Sequence, residues 1–130
     1  MQDTRTQTYK DLIVWQRAMD LVVAVYVLTE AFPKAEVYGL TSQMRRCAVS
    51  IPSNIAEGRY RGSKKDYRQF LIIAYSSGAE LETQIEIAKR LPLGESLDFS
   101  NVDGFLIETM KMLNKMVASM DTVRPISYKL

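Results

Sequence analysis

The sequence predicts an all-α protein, an antiparallel up-down-up-down four-helix bundle that assembles into a homo-oligomer. Four segments carry the periodicity of amphipathic helices, no segment alternates as a strand does, and the connections are only about 5 to 8 residues long. Short connections join antiparallel neighbours in a bundle. We expect the bundle in residues 11–121, an N-terminal tail in residues 1–10 and a C-terminal tail in residues 122–130.

The first predicted helix, from about Asp11 to Phe32, is apolar on more than one face. It stops before Pro33, because the residue that precedes a proline disfavours helical geometry. One apolar stripe comprises Val14, Ala18, Leu21, Val25, Leu28 and Phe32, and a second beside it comprises Leu12, Trp15, Met19, Val22 and Tyr26. One core needs an apolar arc of about 100°, and this helix offers much more.

This surplus of apolar surface predicts that copies of the chain associate through the first helix. We expect Val14, Trp15, Val22 and Leu28 at the interface between copies. Monomers seldom expose an apolar patch of such a size to water. The alternative is that the whole helix is deeply buried within a monomer.

The second predicted helix, from about Thr41 to Gly58, carries a polar stripe beside its apolar face. Pro52 predicts a bend, because proline removes a backbone hydrogen bond inside a helix. The stripe falls within about 80° on the helical wheel and also includes Arg46. Its other members are Gln43, Ser50, Asn54 and Glu57. These side chains form either a hydrogen-bonded network that fixes helix register or a solvated face.

The third predicted helix runs from about Ser63 to Leu91, and the fourth from about Ser100 to Asp121. Ser63 is an expected N-cap, since its hydroxyl can accept a hydrogen bond from an amide of the first turn. The small residues 76–79 would let another helix approach closely. Several methionines in the fourth helix are typical of side chains that fill irregular gaps in a core.

The composition excludes several classes of function. The chain has no histidine, which removes Ser-His-Asp triads and histidine-ligated zinc sites. Cys47 is the only cysteine, so no internal disulfide forms, as suits a reducing cytoplasm. The longest apolar run, Leu21 to Leu28, is far shorter than the roughly 20 residues of a membrane span. We therefore expect a cytoplasmic protein without membrane contact, metal, cofactor or enzymatic activity.

The net charge of +2 conceals two segments of opposite charge. Residues 41–70 contain seven basic and two acidic side chains, whereas residues 71–110 contain two basic and seven acidic ones. Cations contact phosphates and tyrosine rings stack on bases, so the first segment is typical of nucleic-acid binding. The predicted binding residues are Arg45, Arg46, Arg59, Tyr60, Arg61, Lys64, Lys65 and Arg68. A solvated loop is the alternative.

The segment Gln43–Gly58, which ends in Ser-Ile-Pro-Ser-Asn-Ile-Ala-Glu-Gly, resembles the signature of bacterial four-helix-bundle proteins encoded in intervening sequences of 23S rRNA genes. Residues 12–18, 63–74 and 77–84 fit the same pattern. The resemblance covers roughly residues 9–121. It implies an antiparallel bundle and a homo-oligomer, namely a pentamer, and it supplies no catalytic residue.

The same family is similar to the accessory variability protein of diversity-generating retroelements, a pentameric barrel whose basic surface binds nucleic acid and a reverse transcriptase. Two functional hypotheses follow. The first is a non-enzymatic oligomer that binds RNA or DNA weakly and without sequence specificity. The second is an adaptor that presents its basic face to an acidic protein partner such as a polymerase.

Overall fold

The structure, a computed structural model, describes residues 8–120 of the chain, which form four long helices and contain no strand. The all-α prediction is confirmed for this part of the chain. Within the predicted N-terminal tail, Thr8 caps a short 3₁₀ turn, Tyr9–Asp11. Residues 1–7 and the predicted C-terminal tail, residues 122–130, lie outside the described residues. The helices are α1 at Ile13–Glu30, α2 at Ser42–Tyr60, α3 at Lys64–Arg90 and α4 at Ser100–Ser119.

Local sequence signals set several helix features. Ser63 caps α3 as expected, because its hydroxyl accepts a hydrogen bond from the Asp66 amide at 3.1 Å. Helix α2 continues through Pro52, although proline has no N–H to offer the Ala48 carbonyl. The connection between α1 and α2 has more structure than the sequence predicts, since it contains the 3₁₀ turn Lys34–Glu36 and the π-helical turn Val37–Thr41.

Side-chain contacts show that consecutive helices run antiparallel. Helix α1 packs on α2 and α4, and α3 packs on the same two helices. Contacts between α2 and α3 pair early residues of one helix with late residues of the other, and the same order holds for α3 with α4. The cross-helix contacts are Arg45–Thr29, Ser50–Ser77, Gln84–Cys47, Lys89–Asp103, Arg68–Val117 and Arg17–Glu108.

The core lies between the four helices and contains the first apolar stripe of α1 completely. Val14 and Leu28 are both buried inside the single chain. Their expected position at an interface between copies is therefore corrected, because their side chains already pack on neighbouring helices of the same subunit. The largest fully buried hydrophobic side chains of the core are Leu21, Met44, Ile51, Ile55, Leu71, Leu81 and Leu113.

The second apolar stripe of α1 is covered only in part. Trp15 and Val22 are half-buried against the core, and Met19 remains 37% exposed. Farther round the helix, Val27 is 69% exposed. Trp15, Met19 and Val22 line a groove of about 300 Å³ between α1 and α2, whose α2 wall is formed by Val49, Pro52, Ser53 and Ala56. The surplus apolar surface that the sequence indicates is therefore present. Part of it lines this groove, and Val27 lies in a second groove between α1 and α4.

Gly58 lies where α2 packs closely on α3. A Cβ atom at this position would lie 2.7 Å from the Phe70 Cβ and 3.3 Å from the Tyr67 carbonyl oxygen. Neither atom can rotate away, so Gly58→Ala must push the helices apart. We expect a net destabilisation of about 1–2 kcal/mol, because overpacking outweighs the gain in helix propensity. Thermal or denaturant unfolding measures this change.

Gly104 provides the matched control, since it also lies inside a helix but its Cβ would meet no heavy atom within 4 Å. Gly104→Ala should stabilise the protein by about 0.5–1 kcal/mol through helix propensity. Equal effects of the two substitutions would contradict the close packing of α2 on α3.

Candidate nucleic-acid interface

The turn between α2 and α3 brings the last turn of one helix beside the first turn of the next. Only three residues, Arg61 to Ser63, separate the two helices. Gly62 adopts a φ of 81°, which side-chain-bearing residues rarely accept, and this conformation reverses the chain. Basic residues from both helices therefore share one end of the bundle. We call this end the cationic turn, formed by Arg59, Tyr60, Arg61, Lys64, Lys65 and Arg68.

Three cations of the cationic turn are exposed and have no ion-pair partner among the described residues. Within residues 8–120, Arg59, Lys64 and Lys65 take part in no ion pair. Some cations elsewhere are paired, as Lys89 is with Asp103 at 2.7 Å, whereas Lys34, Arg46 and Lys111 form no ion pair within the described residues. Arg59, Lys64 and Lys65 therefore place three positive charges at this turn that no carboxylate of residues 8–120 pairs with.

Lys64 and Lys65 lie where a helix disfavours positive charge. They occupy the first turn of α3, whose amide groups carry partial positive charge, and Asp66 is the acidic residue of that turn. The lysines therefore add to the local positive potential. An anion bound at this turn would relieve that repulsion, and a phosphate group has the matching chemistry.

Arg61 and Arg68 make contacts within the subunit. The Arg61 guanidinium pairs with Glu57 at 2.9 Å and lies 4.9 Å from the centre of the Phe70 ring. The Arg68 Nε donates a hydrogen bond to the Val117 carbonyl at 3.1 Å, where it caps the end of α4. Both side chains remain at the cationic turn, but part of their hydrogen-bonding capacity is used to stabilise the fold.

Arg45 and Arg46 lie at the other end of α2, so the structure does not bring them together with the cationic turn. They precede Arg59 by 14 and 13 residues, which corresponds to about 20 Å along a helix. The Arg45 Nε donates to the Thr29 hydroxyl at 2.8 Å, and its guanidinium pairs with Glu30 at 3.2 Å. Arg45 therefore joins α2 to α1, and Arg46 is exposed far from the cationic turn.

Tyr60 is 78% exposed at the cationic turn. Its ring centre lies 5.7 Å from that of Tyr9, which in turn meets Trp15 edge-on at 5.3 Å. No sequence signal beyond the aromatic residue itself indicates the Tyr9 contact, because the sequence predicts Tyr9 in a tail.

The polar stripe of α2 forms a network in its middle only. The Ser50 hydroxyl lies 2.8 Å from that of Ser77, and the Asn54 side-chain amide donates to the Ser50 carbonyl at 2.8 Å. The expected membership of Gln43 and Glu57 is corrected, because both are exposed and Glu57 pairs instead with Arg61. The network therefore fixes the register of α2 against α3.

Burial changes the ionisation of two side chains near these contacts. It raises the pKa of the Cys47 thiol, although the Gln84 amide, which donates to the sulfur at 3.4 Å, partly opposes the rise. Burial also raises the pKa of the Tyr67 phenol, with partial opposition from the charge of Arg59. Both groups are therefore protonated at neutral pH, and Cys47 has the character of an inert core thiol.

The described residues contain neither a candidate metal site nor a helix that could cross a membrane. No group of three or more histidine, cysteine, aspartate or glutamate side chains in residues 8–120 could hold a metal ion. In the same range, no helix combines the length and apolar character that crossing a membrane requires.

Residues 8–120 have an all-α architecture of four long helices with antiparallel neighbours. A family model described as 23S rRNA-intervening sequence protein matches residues 10–115, which include α1, α2, α3 and most of α4. The chain belongs to this family, and the resemblance seen in the sequence is confirmed. A comparison with curated proteins finds no significant match.

Proposed function

We propose that the protein is a non-enzymatic, cytoplasmic homo-oligomer that binds RNA or DNA without sequence specificity through the cationic turn. One observation carries this proposal: Arg59, Lys64 and Lys65 are exposed and form no ion pair within residues 8–120, and two of them oppose the dipole of α3. Residues that violate local stability rules tend to serve a function. Cations of this kind attract the phosphate backbone, which is the same in every sequence.

Self-association rests on the groove between α1 and α2. Its walls contain Trp15, Met19 and Val22 from α1, with Val49 and Pro52 from α2. An apolar face that a single subunit leaves open suits contact with a second copy. The family resemblance implies five copies. Each copy would contribute one cationic turn, so that several weak phosphate contacts act together.

A salt titration tests nucleic-acid binding. The affinity of the purified protein for a labelled 20-nucleotide RNA of arbitrary sequence is measured by fluorescence anisotropy at several salt concentrations. We expect the logarithm of the affinity to fall linearly with the logarithm of salt, with a slope of about −0.7 for each phosphate contact. Absence of binding at low salt would overturn the proposal.

An acidic protein surface is the second candidate partner. The unpaired cations that favour phosphate also suit carboxylates, since both carry localised negative charge. If RNA and DNA both fail to bind at low salt, this adaptor function becomes the better explanation of the cationic turn.

A further inference from the structure

The exposed ring of Tyr60 is held in place by an aromatic chain that reaches α1. Tyr60 contacts Tyr9 with an angle of 57° between the ring planes, and Tyr9 contacts the half-buried Trp15 at 72°. Edge-to-face and tilted contacts of this kind are favourable geometries for aromatic pairs. Tyr9 therefore supports the Tyr60 ring on one side, while 78% of the Tyr60 side chain remains open to solvent.

A small groove lies beside this ring. It has a volume of about 170 Å³ and is lined by Thr8, Tyr9, Arg59 and Tyr60. Aromatic rings and a guanidinium group thus border one concave site, and Lys64 and Lys65 follow across the short turn. The tyrosine rings and the guanidinium offer surfaces on which a base can stack. The two lysines offer contacts for the phosphates of the strand.

This arrangement discriminates between the two physical forms of nucleic acid. In a duplex, both faces of each internal base are covered by its neighbours, so a tyrosine ring cannot reach them. In a single strand, an unstacked base can leave the backbone and lie against an aromatic side chain. Cations alone, in contrast, bind the phosphates of either form.

We propose that the cationic turn prefers single-stranded RNA or DNA, and that it holds one unpaired base against Tyr60 while Arg59 contacts the adjacent phosphate. This inference rests on the proposed nucleic-acid binding and specifies its substrate class. Stacking tolerates any base, which agrees with binding that lacks sequence specificity. The same chemistry accepts ribose and deoxyribose strands.

The test compares a 12-nucleotide single strand with a 12-base-pair duplex, each prepared as RNA and as DNA, by fluorescence anisotropy at one salt concentration. We expect Tyr60→Ala to weaken single-strand binding about tenfold and to leave duplex binding unchanged, because stacking is lost and the cations remain. Tyr60→Phe should retain the preference, since the ring is kept.

Tyr38→Ala is the matched control, because Tyr38 is 97% exposed in the connection between α1 and α2, away from the cationic turn. This substitution should change neither the affinity for the single strand nor the affinity for the duplex. Equal weakening of single-strand and duplex binding by Tyr60→Ala would overturn the inference, as would an unchanged single-strand affinity. A change in the number of subunits would also overturn it, because the ring would then pack between copies. Absence of salt-dependent binding to both forms would instead overturn the proposed function.

Discussion

Replacing Arg59, Lys64 and Lys65 together with alanine should weaken RNA binding about tenfold or more at low salt. These cations lie within one exposed turn and have no carboxylate partner among the described residues. Loss of three phosphate contacts should reduce the slope of log affinity against log salt by about 2. Stability should not fall, because removal of two lysines from the first turn of α3 relieves their repulsion with the helix dipole. Anisotropy and thermal unfolding measure the two effects.

A control variant that removes three positive charges elsewhere distinguishes the effect of the cationic turn on binding from the effect of net charge. Lys34, Arg46 and Lys111 are exposed, make no ion pair within residues 8–120 and lie outside the cationic turn. Their joint replacement with alanine should leave the slope close to that of the unmodified protein. If both triple variants lose affinity equally, binding depends on overall charge and the proposed interface is wrong.

Met19→Glu should convert the proposed oligomer into separate subunits of 14.8 kDa. Met19 lies in the open groove beside Trp15 and Val22, so contact with another copy would bury the new carboxylate. Desolvation of an unpaired charge costs several kcal/mol, and this cost weakens the association of copies through the groove. Sedimentation velocity measures the mass. Affinity for a long RNA should also fall about a hundredfold, because linked binding sites are lost, while affinity for a short oligonucleotide persists.

Ile87→Glu is the corresponding control on another face. Ile87 is 45% exposed on α3, a helix that packs on α2 and α4 and lies diagonally across the bundle from α1. We expect this variant to keep the mass of the unmodified protein. Dissociation by Ile87→Glu without dissociation by Met19→Glu would place the contact between copies on α3.

The helices could be predicted from the sequence because their signals are local. Apolar periodicity located all four, and Ser63 marked the start of α3 through a hydrogen bond to a residue only three positions away. Both apolar stripes of α1 are visible in the sequence, yet Val14 and Leu28 of the first stripe are predicted at an interface, whereas the structure buries them. Periodicity identifies an apolar face without saying which part of it the same chain covers.

The candidate interface depends on contacts between residues that are distant in sequence, and such contacts could not be predicted from local patterns. A charge count over residues 41–70 groups Arg45 with Arg59 in one basic cluster, although about 20 Å of helix separates them. The partners of Arg45, Thr29 and Glu30, belong to α1. Counting helical rise within the predicted second helix would have revealed the separation. The contact of Tyr9 with Tyr60 had no comparable signal, since it joins the region before α1 to the end of α2.

Static light scattering of the unmodified protein over a range of concentrations tests the central claim most directly. That claim is that the apolar groove along α1 is closed by further copies of the chain, which thereby gather several cationic turns in one particle. The account predicts a mass several times 14.8 kDa, with five subunits as the expected number, and little dependence on concentration. A mass of 14.8 kDa at every concentration would contradict it.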